Sequence, residues 1–214
     1  MTKREKNKIH LYFRYIIISL ILSLAIFAII FFLNINSLIS STGEKVINSN
    51  EYYSLRGKPT NLQKELFKEL TTQVDKGLED DLLVVELVAR NFVADYYTWT
   101  NKQGPFDVGG GEYIFGNENL SFKRSSRRYF YSNIENYIHS GLNQEDLIEV
   151  ETVTSLGAAY AGIFNYYGKD YAAYYVEVSW TYKESAIDTS IYPTFAAFTL
   201  VKNEAGRIEI VRFY

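Results

Sequence analysis

The sequence predicts an α+β protein: an N-terminal transmembrane helix, then helices packed on a curved four-stranded antiparallel sheet. Three observations predict it. An uninterrupted apolar run lies near the start, apolar residues recur at helical spacing in the middle, and apolar and polar residues alternate in the last third.

The apolar run, YIIISLILSLAIFAIIFFL, extends from Tyr15 to Leu33, nineteen residues with no charge and only Ser19 and Ser23 polar. At about 1.5 Å of rise per residue, a helix of that length nearly spans a hydrocarbon layer of about 30 Å. Lipid cannot satisfy backbone N–H and C=O groups, so a spanning segment must be helical. Residues 1–14 carry Lys3, Arg4, Lys6, Lys8 and Arg14 against Glu5, a net charge of +4. Cations beside a span stay in the cytoplasm, which sends the C-terminal bulk outside. A cleaved signal peptide also begins with basic residues. Its apolar core is shorter than this one, however, and Leu38-Ile39-Ser40-Ser41-Thr42-Gly43 offers no small-x-small cleavage site. The expected organisation is a cytoplasmic head over 1–14, a span over 15–33, a tether over 34–60 and one extracytoplasmic domain over 61–214. The expected location is the bacterial cell membrane, crossed once.

Composition removes several function classes. The chain has 214 residues and a net charge of −3, so everything after the basic head sums to −7. Such a domain is a poor nucleic-acid binder, because phosphate contacts need a surplus of Lys and Arg. There is no cysteine, hence no disulfide, no thiolate nucleophile and no Cys-ligated zinc. The two histidines, His10 at the membrane and His139 at a helix end, leave no Ser-His-Asp pair and no His-built metal site. No cofactor is expected. The 19 Tyr and 14 Phe read as packing for a sheet and its covering helices.

The domain elements follow in order. Thr60 with Gln63 forms a capping box, and Leu62, Leu66, Phe67, Leu70 and Val74 give a short amphipathic helix that Lys76-Gly77 ends. Asp80 or Asp81 caps a second helix running to about Thr98, with Leu82, Val85, Ala89, Phe92, Tyr96 and Trp99 as a continuous stripe. Glu79-Asp80-Asp81 suits capping better than a calcium loop, whose ligands are spread over about twelve residues. Gly109-Gly110-Gly111 invites a phosphate-cradle reading. Glu112-Tyr113 follows where Lys-Ser/Thr is needed, so a positive-φ turn or a close approach to the core is expected instead.

Ser121 to about His139 reads as a third helix. Lys123, Arg124, Arg127 and Arg128 form a basic stripe on its first turns, a candidate docking patch for an acidic partner or an anionic envelope polymer. A solvated face with scattered ion pairs is the plainer account of the same residues. From about Leu147 the period becomes two. Strands are expected over 148–164, 171–183, 191–202 and 207–214, with Gly157 and Gly162 as bulges in the first.

This order of elements, the helices 81–98 and 121–139 followed by a curved four-strand meander, resembles the nuclear-transport-factor-2-like cone. With a basic head and one anchor added, the chain is similar to the bitopic scaffold subunits of conjugation and type IV secretion systems. The resemblance implies a non-enzymatic assembly factor that contacts other envelope proteins, forms homo-oligomers and meets lipid through Tyr15–Leu33. It carries over no functional residue. Two alternatives stay open: a small-ligand-binding or enzymatic cone, and an envelope sensor or regulator.

Overall fold

The computed structural model describes residues 22–24 and 46–214. Residues 22–24 are helical. The rest of the predicted span over 15–33 and the head over 1–14 lie outside the described residues. Among the described residues, no helix is long and apolar enough to cross a membrane.

Residues 46–214 fold as an α+β unit with two sheets. β1 (Val46–Ser49) and β2 (Ser54–Arg56) form a small antiparallel hairpin. The expectation of a tether over 34–60 is corrected here for its described part. The hairpin brings in Tyr53, which is buried and uses its hydroxyl on the backbone of Ile208, far away in sequence. No local period announces that contact.

α1 (Asn61–Asp75) begins with the expected capping box of Thr60 and Gln63. It ends in a Schellman motif. Gly77, at φ 83°, donates to Val74 and Leu78 donates to Gln73, which satisfies two carbonyls of the last turn. α2 (Asp81–Tyr96) is capped by the Asp80 carboxylate, which accepts from the N–H groups of Leu82 and Leu83 at 3.1 and 3.2 Å. This helix is buried on most of its circumference, because α1 covers one side and the large sheet the other. Asn91 ties the two helices together by donating to the Leu66 carbonyl at 3.1 Å. The first residue of the predicted stripe departs from expectation: Leu82 is exposed, as is Leu83.

The predicted third helix is α3 (Asn119–Ser126), a π turn (Arg127–Tyr131) and α4 (Ser132–His139) in continuous succession. The wide turn shifts the helical phase, so that Tyr131 and Ile134 both reach the core.

The large sheet is a meander of β3 (Val150–Tyr166), β4 (Lys169–Tyr182), β5 (Phe195–Lys202) and β6 (Ile208–Phe213), in that spatial order and antiparallel throughout. Tyr167 and Gly168, both at positive φ, make a two-residue turn between β3 and β4. The predicted alternation holds. Tyr174, Val176, Val178 and Trp180 are buried against the helices, while Tyr175, Glu177 and Ser179 are half-buried on the other face. Register shifts fall at Gly157 and Gly162 as expected, and both glycines have positive φ. β5 starts later than predicted. Asp188 caps a 3-10 turn (Thr189–Ile191) ahead of it, and the Pro193 carbonyl is taken by the Tyr182 hydroxyl.

Candidate functional site

Helices packed on a sheet leave an interior between them, and its chemistry depends on what fills it. Here aromatic rings do. Phe92 stacks on Tyr96 at 5.2 Å, Tyr96 on Phe130 at 5.1 Å, and Tyr97 on Trp180 at 4.4 Å. Phe198 and Phe213 close the cluster from β5 and β6, and Trp99 meets Phe130 at 4.8 Å. Burial pushes the Tyr97 and Tyr131 hydroxyls well above the ordinary phenol range, so they stay neutral.

The glycine run lies against the end of α2. The Gly110 N–H donates to the Asp95 carboxylate at 2.6 Å, and the Gly109 N–H donates to the Tyr131 hydroxyl at 2.9 Å. Tyr131 in turn donates to the Tyr96 carbonyl at 2.6 Å. Amides that a phosphate would need are thus occupied, one of them by a carboxylate. A Cβ on Gly109 would come within 2.3 Å of the Asp95 carbonyl oxygen, so the close approach expected of this run is real. Lys102 completes the cluster with its ammonium 2.5 Å from Asp95. Burial opposes the charge on Asp95, but Lys102, Arg56 and the Gly110 N–H outweigh it and hold the carboxyl below its ordinary range.

An open groove of about 430 Å³ runs between α3, the π turn and β6. Tyr96, Phe122, Phe130 and Phe213 contribute to its walls, with Glu118 and Arg212 also lining it. Its volume falls in the small-ligand range. Two of its polar groups are committed to tyrosines. Glu118 accepts from Tyr166 at 2.5 Å, which pushes that phenol up to about 12, and Ser126 bonds Tyr96. Among the described residues, no group of three or more His, Asp or Glu could hold a metal ion.

The predicted basic stripe divides. Arg124, Arg127 and Arg128 are exposed, and no ion pair involves them among the described residues. Lys123 is half-buried instead, with its Cε 2.7 Å from where a Cβ on Gly111 would stand. Two rings support the arginines. Arg127 lies 4.5 Å over Phe106, and Arg128 lies 5.4 Å from Tyr129. Phe106, from the glycine loop, was invisible as a partner in the sequence, whereas Tyr129 is next to Arg128 in the chain. Leu120 and Tyr129 add exposed apolar surface close by in the chain. Sequence reasoning also missed β3 as an edge strand, although its run from Thr152 to Gly168 carries no charge.

No protein-family model, curated protein or solved structure matches this chain.

Proposed function

We propose that the chain is a scaffold or assembly protein of the cell envelope, held by the span over 15–33, with its domain outside the cytoplasm. In this reading the domain is a nuclear-transport-factor-2-like cone whose work is to hold other proteins, as in the bitopic subunits of conjugation or secretion channels. One observation carries it. The interior is packed with rings, while three arginines that form no ion pair among the described residues and a strand edge uncharged from Thr152 onward lie on the outside. Recognition by arginines lying on aromatic rings suits an acidic protein surface, which supplies carboxylates in the plane the guanidinium presents.

Mild solubilisation of membranes and co-purification test this. The chain is expected to retain other envelope proteins, and the triple variant R124E/R127E/R128E is expected to lose the acidic ones at least about tenfold, as for a cluster worth about 1.4 kcal/mol or more. Recovery of a lone chain with a small molecule in the groove would transfer the function to ligand binding, the reading that the groove volume favours. Protease added to intact protoplasts is expected to digest the domain and spare the head. The reverse pattern overturns the orientation.

A further inference from the structure

A sheet of four strands has two edges, and this one treats them differently. The β6 edge is covered. The Tyr53 hydroxyl donates to the Ile208 carbonyl at 2.8 Å and accepts from the Ile208 N–H at 3.2 Å, and the Phe115 N–H donates to the Ile210 carbonyl at 2.9 Å. The outer side of β3 has no strand beside it among the described residues. Beyond Glu151, near its start, β3 also lacks the charges and prolines that usually guard such an edge. Thr152 to Gly168 holds no charged residue and no proline, on a domain whose net charge is −7. Leu156, Tyr160, Ile163 and Tyr167 are 57%, 59%, 63% and 91% exposed. At the start of α2, Leu82 and Leu83 are exposed too, between Asp81, which bonds Tyr174, and Glu86, which bonds Ala158.

The register with β4 identifies which residues face outward along this edge. Val153, Ser155, Ala158, Tyr160, Ile163 and Asn165 pair with Trp180, Val178, Val176, Tyr174, Ala172 and Asp170. They form one alternating set, with an extra residue at each glycine bulge. The Ala158 N–H donates to Glu86, a residue outside the ladder, so this set turns its backbone groups away from β4. Successive members are two, three, two, three and two residues apart. That spacing reads the same in both directions, with its centre at Ala159. A second β3 laid antiparallel about a twofold axis at Ala159 therefore sets each outward residue opposite an outward residue. Ser155 meets Ile163, Val153 meets Asn165, Ala158 meets Tyr160, and each glycine bulge lies opposite the other.

We propose that β3 is the interface by which two copies of this chain pair, edge to edge, joining their four-stranded sheets into one eight-stranded sheet across a twofold at Ala159. An unrelated strand would have to carry two bulges at matching positions, whereas a second copy has them by identity. Charge points the same way. Two domains of −7 repel over most of their surfaces, whereas the strand from Thr152 to Gly168 brings no charge of its own, and Glu86 is the carboxylate that pairing must move aside. The contact is isologous and closes, so it stops at two. Glu86 occupies the Ala158 N–H in the single chain and yields it to the partner's Tyr160 carbonyl. The proposal deepens the scaffold reading and rests on it for its purpose.

The absence of native cysteine makes the test direct. At the axis Ala159 faces its own copy in a non-hydrogen-bonded pair, about 4.5 Å between Cα atoms, within disulfide reach. Ala161 lies two residues away on the same strand, and its two copies stand about 13 Å apart along the strands, too far to bridge. The full-length chain carrying Ala159→Cys, oxidised mildly in membranes, is expected to form a covalent dimer at least about tenfold faster than Ala161→Cys. Ile163→Lys placed on Ala159→Cys is expected to abolish that dimer. Ile163 is mostly exposed, so an unchanged circular dichroism spectrum and melting curve will separate lost pairing from lost folding. Equal cross-linking at 159 and 161, or a monomer at every concentration reached, overturns the pairing. If envelope proteins still co-purify with that monomer, the scaffold reading stands without it. A dimer linked at 159 that retains no other protein supports the pairing and counts against the scaffold.

Discussion

Asp95 is the residue on which most polar contacts of the interior converge. It receives the Gly110 N–H, the Lys102 ammonium and, at 3.4 Å, the Gln63 amide. Lys102 is only 3% exposed, so its charge has little water to fall back on. The contrast is Lys169–Glu204, whose side chains are 63% and 76% exposed and whose pairing contributes little. Asp95→Asn should therefore cost about 2 to 4 kcal/mol at neutral pH, because it leaves a buried ammonium without its counter-charge. The pH dependence has a definite sign. The folded-state pKa of Asp95 lies below its ordinary 3.8, so its contribution is full above that value and is lost as pH falls through the folded one. Urea unfolding of both proteins should show the gap between them closing below about pH 4. A gap that persists unchanged into stronger acid would show that the carboxylate charge is not what Asp95 contributes.

Among the elements, the glycine turn against α2 is the most constrained. Gly110 has φ 74°, and a Cβ there would stand 2.6 Å from the ring of Phe92, a residue with no exposed surface that cannot move aside. Gly110→Ala should cost about 2 to 4 kcal/mol, combining a left-handed backbone with overpacking. Gly77→Ala provides the comparison. Its φ of 83° is similar, but no atom lies within 4 Å, so only the backbone part, about 1 kcal/mol, is expected. Thermal or denaturant melts of the two variants measure the difference, and equal losses would place the cost in backbone strain alone. The π turn at Arg127–Tyr131 is the other element with a consequence. It delivers Tyr131 to the Tyr96 carbonyl while leaving Arg127 and Arg128 outside, so one short segment serves both the core and the surface.

At the scale of the molecule, residues 46–214 belong to one compact unit beginning at Glu44. The β1–β2 hairpin is part of it, through Tyr53 on Ile208 and through the Ser54 N–H on Glu112 at 3.1 Å. Limited proteolysis of the full chain should leave a resistant fragment that still contains this hairpin, read by mass spectrometry. A fragment beginning near Asn61 would restore the tether. The sequence by itself determined the α+β class, the caps of α1 and α2, the four-strand meander and the two glycine-marked register shifts among the three of β3, because each is written in a local period, a glycine or a cap a few residues long. The candidate surfaces were only half legible. The arginines were visible as a stripe, but not that Lys123 turns toward Gly111 or that Phe106 lies under Arg127. Tertiary structure alone decided those contacts, the filling of the interior by rings and the exposure of β3. Each depends on which distant segments come to lie side by side: Tyr53 covers β6 across 155 residues of chain, while among the described residues β3 has no strand beside it and only single side chains, Thr98 and Glu86, on its outer N–H groups.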